Sequence, residues 1–260
     1  MTIVEDKTKS FLADGKEKLH LILDFDMTLT KTINQFGEHV ATWQLLMSHL
    51  SEKGKKEYQN LYNRYRPLEA ANKMTNSVAV EWWEETLNLL VKNRLKWSDI
   101  LSDVEERMPV REGVKELFDI CEQKEIPILI ISGGIRDVIE VWCQKLNIKP
   151  AIILSTNLNF DSKGFIKGWD KNSLIHAFNK KEQGHEEVSK IRKLRPNTIL
   201  VGDSPDDYSM VDGDEMVLRI LIDDPRPGES LLGNNAKKDK FDMIIKDKSL
   251  FPVVEMIKFF

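Results

Sequence analysis

A chain of 260 residues at 41% hydrophobic content is long enough to bury one large α/β core carrying a smaller inserted domain. Its 38 basic and 42 acidic residues leave a net charge of −4, which removes any electrostatic drive toward nucleic-acid polymers or anionic membranes. The two cysteines, Cys121 and Cys143, follow neither a zinc nor a redox spacing and read as buried free thiols.

In chain order, residues 1–18 are polar and charged and lack the apolar centre of a secretory signal. No apolar stretch approaches transmembrane length, so the expectation is a cytoplasmic protein acting as a monomer. Residues 20–23 predict a strand buried on both faces, and it runs straight into Asp24-Phe25-Asp26-Met27-Thr28. Two carboxylates forced together repel and titrate as a pair unless a cation or a division of labour separates them. A solvated strand-to-turn junction is the plain alternative, since Asp and Thr are common there.

Residues 34–108 contain no credible strand. Helical patterns cover 43–50, 55–65, 78–91 and 97–107, and the stretch is too long for a simple βα connection. It reads as a helical cap domain, entering directly behind the two acids and hanging over the carboxyl ends of the strands. Residues 1–33 and 109–260 then form the core domain. Strands at 126–131, 151–154 and 198–201, with a weaker one at 243–245, alternate with helices at 113–123 and 137–146 and a closing helix from about Phe251. This alternation predicts an α/β fold with a doubly wound, Rossmann-like parallel sheet. Residues 223–235, rich in Pro, Gly and Asn, predict a loop.

Three further motifs fall where predicted strands stop. Ser132-Gly133-Gly134, opening a helix, suits a phosphate cradle of backbone N–H groups, or an ordinary tight turn. Gly202-Asp203-Ser204-Pro205-Asp206-Asp207 packs three carboxylates into five residues, which fits a hard cation or a helix N-cap. Lys180, beside Lys181, taken alone reads as a solvated helix face.

Asp24-x-Asp26-x-Thr28, Ser132, a lysine and Gly202-Asp203-x-x-x-Asp207, in that order, resemble the signature of the haloacid dehalogenase-like phosphohydrolase superfamily. Val80-Glu81-Trp82, Ser132-Gly133-Gly134-Ile135-x-Asp137-Val138, Ile175-His176-x-Phe178-Asn179-Lys180 and Phe241-Asp242-Met243-Ile244-Ile245 narrow the resemblance to the cytosolic pyrimidine 5′-nucleotidase (type III) family. The resemblance implies Asp24 as nucleophile, forming an aspartyl-phosphate, and Asp26 as acid and then base. It implies Thr28 as an orienting group, with Ser132, the Gly133 amide and Lys180 on the phosphate oxygens. It also implies Mg²⁺ on the side chains of Asp24 and Asp203 and the backbone carbonyl of Asp26, with Asp207 binding or supporting it.

By the same resemblance Glu69 contacts the nucleobase and Thr86 lies near it. Among Trp43, Trp82 and Trp83 at most one is expected to stack on the base, with Trp43 preferred. The implied activity is Mg²⁺-dependent hydrolysis of nucleoside 5′-monophosphates, either pyrimidine or 7-methylguanosine. A phosphatase of the phosphoserine type is the alternative enzyme, and a catalytically idle binding protein on the same fold the alternative of another class. The chain departs from its relatives at Gly133, where they read Ser-Ala-Gly, and at Pro205, where they carry a polar residue.

Overall fold

A computed structural model describes residues 3–71, 73–176, 178–213, 215–226 and 240–260. Helix α1 (Ile3–Asp14) precedes strand β1 (Leu19–Leu23), and four helices of the insertion follow: α2 (Thr42–Ser48), α3 (Glu52–Ala70), α4 (Asn76–Lys92) and α5 (Trp97–Arg107). Then come α6 (Val114–Gln123), β2 (Ile128–Ile135), α7 (Arg136–Lys145), β3 (Ile152–Thr156) and a hairpin of β4 (Leu158–Phe160) with β5 (Ile166–Trp169). The chain ends with α8 (Glu186–Leu194), β6 (Asn197–Gly202), β7 (Val217–Ile222), β8 (Met243–Ile245) and α9 (Phe251–Lys258).

Six strands form one parallel sheet in the order β3-β2-β1-β6-β7-β8. The chain leaves β1 to one side through β2 and β3, then returns to its other side with β6. The crevice between β1 and β6 is therefore the topological switch point, where open α/β sheets bind ligands. Strand alternation sends Leu21 and Leu23 to one face and Ile22 to the other. The first face packs on α6, α7 and α9 through Leu117, Trp142 and Val253, and the second on α8 through Val188. Each fully buried Leu or Ile contributes roughly 1.5–3 kcal/mol, so a sheet covered on both sides is the main source of stability. The thiols of Cys121 and Cys143 are unpaired and buried, and burial pushes both up to about 12, which leaves them unreactive.

The expected strands and helices are present, with differences that have local causes. Strand β2 runs on through Ser132-Gly133-Gly134 to Ile135, so these residues extend a strand with a register shift after Ile131 rather than opening a helix. Helix α3 continues past Tyr65 and through Pro67, carrying Glu69 into its last turn. Strand β7 and the β4–β5 hairpin were not expected. Of the predicted loop at 223–235, residues 227–235 lie outside the described residues, while the Asp223 amide donates to the Ile245 carbonyl at 2.8 Å and prolongs the ladder between β7 and β8.

The inserted helices divide between two hydrophobic clusters. Leu45 and Leu46 of α2, Leu87 and Leu90 of α4, and Ile100 and Val104 of α5 join the main core. Tyr65, Met74, Ala79 and Trp82 make a separate small cluster between α3 and the start of α4. Among the described residues, no helix is long and apolar enough to cross a membrane.

Candidate active site

The backbone beyond β1 turns sharply. The amides of Thr28, Leu29 and Thr30 all donate to the Phe25 carbonyl at 2.9–3.2 Å, and Met27 adopts φ 61° with its amide on Thr30 Oγ1 at 2.8 Å. Non-glycine residues adopt this left-handed conformation at a cost, and such strain gathers at functional sites. Arg111, fully buried, ties the turn from beneath: Nε donates to the Thr28 carbonyl at 2.7 Å, and Nη2 to those of Met27 and Thr30 at 2.6 and 2.9 Å.

Asp24, Asp203 and Asp207 come together on the ends of β1 and β6. Their side chains are buried, and ligand oxygens from all three lie within 4.8 Å of one another. Asp207 is drawn back by a six-residue 3-10 turn, Pro205–Met210, where its carboxylate accepts from the Ser204 amide at 3.0 Å. Lys180 Nζ sits between two of the acids, 2.7 Å from Asp24 Oδ1 and 2.9 Å from Asp207 Oδ1. It is only 9% exposed, so the Lys180–Lys181 pair is not a solvated helix face. The turn that presents it is closed by Asn179, whose side chain accepts from the His176 amide at 2.7 Å and donates to the Leu174 carbonyl at 2.8 Å.

The electrostatics of this group call for a cation. Burial, then Asp207 and Asp24, push the Asp203 carboxyl well above the ordinary carboxylate range. Burial raises Asp207 as well, against the pull of Lys180. Burial works to lower Lys180, but Asp207 and Asp24 outweigh it and hold its ammonium charged. One ammonium does not balance three clustered carboxylates. An all-oxygen set of this kind fits a hard divalent cation.

Ser132 is buried on the β2 extension and its Oγ accepts from the Gly134 amide at 3.1 Å. Gly133 is neighbour to nothing that a Cβ would strike, whereas a Cβ on Gly134 would fall 2.4 Å from Thr42 Oγ1 and 2.9 Å from Asp26 Oδ2. The Thr28 hydroxyl donates to Asp203 Oδ1 at 3.2 Å, and the donors on the Asp26 carboxylate come from Thr42 instead. Asp26 keeps an exposed edge, yet burial raises its carboxyl above the ordinary range against the lowering effect of the Thr42 donors.

A cavity of about 190 Å³ opens beside Asp26. Trp43, Trp82, Trp83, Thr86 and Glu69 all reach its wall. Trp82 and Trp83 both contribute although adjacent, because their rings stand at 80° to each other. Trp43 and Trp83 turn their indole N–H groups onto the Gly133 carbonyl, at 2.9 and 3.3 Å. Thr86 spends its hydroxyl on the Trp82 carbonyl at 2.8 Å, which leaves its methyl group for packing. Glu69 is ion-paired with Arg66. Tyr58, Tyr62 and Arg66 also line the cavity and were absent from the sequence reading. Their spacing of i, i+4 and i+8, followed by Glu69 at i+11, is the signal that places all four on one face of α3.

The sequence model of a family described as pyrimidine 5′-nucleotidase (UMPH-1) matches residues 27–258. The 7-methylguanosine phosphate-specific 5′-nucleotidase A of Xenopus laevis is 31% identical over 231 residues, covering 84% of this chain and 79% of that protein. The crystal structure of cytosolic 5′-nucleotidase IIIB bound to cytidine is similar with a TM-score of 0.82 at 25% identity, covering 98% of this chain and 90% of that one. A phosphoserine phosphatase with a phospho-aspartyl intermediate analogue shares the fold alone, with a TM-score of 0.62 at 17% identity over 92% of this chain and 98% of that one.

Proposed function

The chain belongs to the pyrimidine 5′-nucleotidase family, and from that premise we propose that it hydrolyses nucleoside 5′-monophosphates to nucleoside and phosphate at the site around Asp24. As a family member it is a phosphomonoesterase on the haloacid dehalogenase fold. The family match begins at Met27, so the roles of Asp24 and Asp26 rest on geometry and on the signature they carry. The observation that supports a nucleotide most directly is the aromatic cavity beside Asp26, walled by Trp43, Trp82, Trp83, Tyr58 and Tyr62. Five planar rings suit a nucleobase, whereas the small polar head of an amino-acid phosphate would leave most of that aromatic surface uncovered.

Two displacements account for the chemistry. An Asp24 carboxylate oxygen attacks phosphorus in line, the P–O5′ bond breaks, and Asp26 gives its proton to O5′ as the nucleoside leaves. Asp26 then takes a proton from water, whose oxygen attacks phosphorus and breaks the bond to Asp24, freeing phosphate. Lys180, the Ser132 hydroxyl and the Gly133 amide hold the three non-reacting oxygens, where transition-state charge is spread. Mg²⁺ supplies further positive charge at those oxygens when bound by Asp24, Asp203 and the Asp26 carbonyl, with Asp207 in support.

Residues 34–108 act as the specificity cap. Glu69 accepts from an exocyclic amine, which favours cytosine and 7-methylguanine over uracil, and a cationic methylated purine stacks well on tryptophan. We place the enzyme in the cytosol as a monomer, where a reducing medium suits its two unpaired thiols.

Phosphate release should be measured with Mg²⁺ on cytidine, uridine and 7-methylguanosine 5′-monophosphates and on phosphoserine. Turnover of the cytidine and 7-methylguanosine nucleotides above uridine monophosphate and phosphoserine is expected, with loss of activity on chelation. Phosphoserine turnover above that of every nucleotide contradicts the proposal.

A further inference from the structure

Asp26 receives two hydrogen bonds from a single residue sixteen positions downstream: the Thr42 amide reaches Oδ1 at 2.9 Å and the Thr42 hydroxyl reaches Oδ2 at 2.7 Å. Thr42 is fully buried and opens α2, the first helix of the insertion. The next residue, Trp43, donates to the Gly133 carbonyl at 2.9 Å. Two successive side chains at the start of α2 thus dock on the acid/base carboxylate and on the phosphate-side strand end. Gly134 is what allows the approach, because any Cβ there would overlap the Thr42 hydroxyl and crowd Asp26.

We propose that Thr42 is the positioning residue for Asp26. Donors on both carboxylate oxygens stop the group from rotating, so its proton is held in one direction, toward the departing O5′. The inference rests on the reading of Asp26 as general acid. A carboxyl left to swing misses the leaving group for part of the time, and angstrom-scale misplacement costs as much as ~10²-fold in rate. The link also makes delivery of the proton conditional on α2 being seated, so the insertion contributes to the chemistry as well as to substrate choice.

Leaving-group dependence separates positioning from general damage. A nucleoside alkoxide needs a proton as it departs, whereas p-nitrophenolate leaves as the anion. The ratio kcat/KM reports only the steps up to that departure, so the later base role of Asp26 does not enter. In full-length protein with Mg²⁺, Thr42→Val should lower kcat/KM for the nucleotide by about 10–100-fold, less than the ~10²–10⁴-fold that a general acid supplies in full, and that for p-nitrophenyl phosphate by less than about 3-fold. Thr42→Ser should restore most of the nucleotide activity, and Asp26→Asn should show the same bias more strongly. Thr42→Ala gives the same readout if valine disturbs the packing.

Equal losses on both substrates, no loss, or a serine variant as impaired as valine would overturn the positioning role while leaving the nucleotidase reading intact. An unbiased loss in Asp26→Asn would remove the acid role and the inference with it. Wild-type protein inactive on every nucleotide would instead contradict the proposed function.

Discussion

Gly133 and Gly134 are neighbours on the β2 extension, yet their surroundings differ. The space beside Gly133 is open to a methyl group, with the nearest atom, the Cα of His176, 3.9 Å away. The position of Gly134 is filled by Thr42, Asp26 and Ser132, all within 3.2 Å of where a Cβ would lie. Gly133→Ala should therefore keep kcat/KM within about 3-fold, while Gly134→Ala should lose about 100-fold by displacing the Asp26 side chain. Steady-state kinetics on one nucleotide check both, and equal effects contradict the packing account. At this scale the candidate catalytic residues were legible because Asp24, Asp26, Ser132 and Asp203 each stand where an apolar run stops. Lys180 was not legible alone, since its burial comes from Asp24 and Asp207, 156 and 27 positions away in sequence. Thr42 carried no local signal, because its contact with Asp26 joins positions sixteen residues apart.

At the scale of elements, β1 carries a buried histidine among its apolar residues. His20 is fully enclosed, and burial, followed by the charge of Arg192, lowers its pKa from 6.5 to about 4. A group whose folded pKa is depressed contributes stability above its unfolded value and loses it as pH falls toward the folded one. The sheet should thus lose about 3 kcal/mol between pH 6.5 and about 4, at roughly 1.4 kcal/mol per pH unit. Urea unfolding of wild type and His20→Gln across that window measures it. The variant should show the shallower decline, and parallel curves contradict the assignment. Strand β7 escaped the sequence reading because Arg219 interrupts its apolar run. Its guanidinium is satisfied inside the fold by the carbonyls of Tyr208, Val211 and Gly213, at 2.8–3.2 Å, so the strand stays buried on both faces. The face of α3 that lines the cavity was readable from its periodicity, but only if aromatic and charged residues are counted as one stripe.

Across the whole molecule, Arg111 joins segments far apart in the chain. Besides the carbonyls of the Asp24 turn, it donates to the Lys248 carbonyl at 2.7 Å and pairs with Asp224 at 3.1 Å. Asp224 in turn accepts from the Thr32 amide at 3.3 Å and pairs with Lys248 Nζ at 3.1 Å. Arg111→Met strips four carbonyls and a buried carboxylate of their donors, so a loss of roughly 3–5 kcal/mol is expected in denaturant unfolding. Arg111→Lys should recover little of it, because an ammonium lacks the planar fork that spans these acceptors. A loss under about 1 kcal/mol in Arg111→Met contradicts this role, since a buried partner removed costs more than that.

The insertion and the sheet meet at the same few atoms, with α2 seated on Asp26 and Gly133 while the Asp24 turn is braced from below. The proposed chemistry turns on one bond, between phosphorus and Asp24. Rapid acid quench during turnover of a nucleoside 5′-monophosphate carrying a labelled phosphate, followed by peptide mapping, tests it directly. An acid-stable, base-labile label on Asp24 is expected, absent in Asp24→Asn. Nucleotide turnover with no label, or a label on another residue, would contradict it.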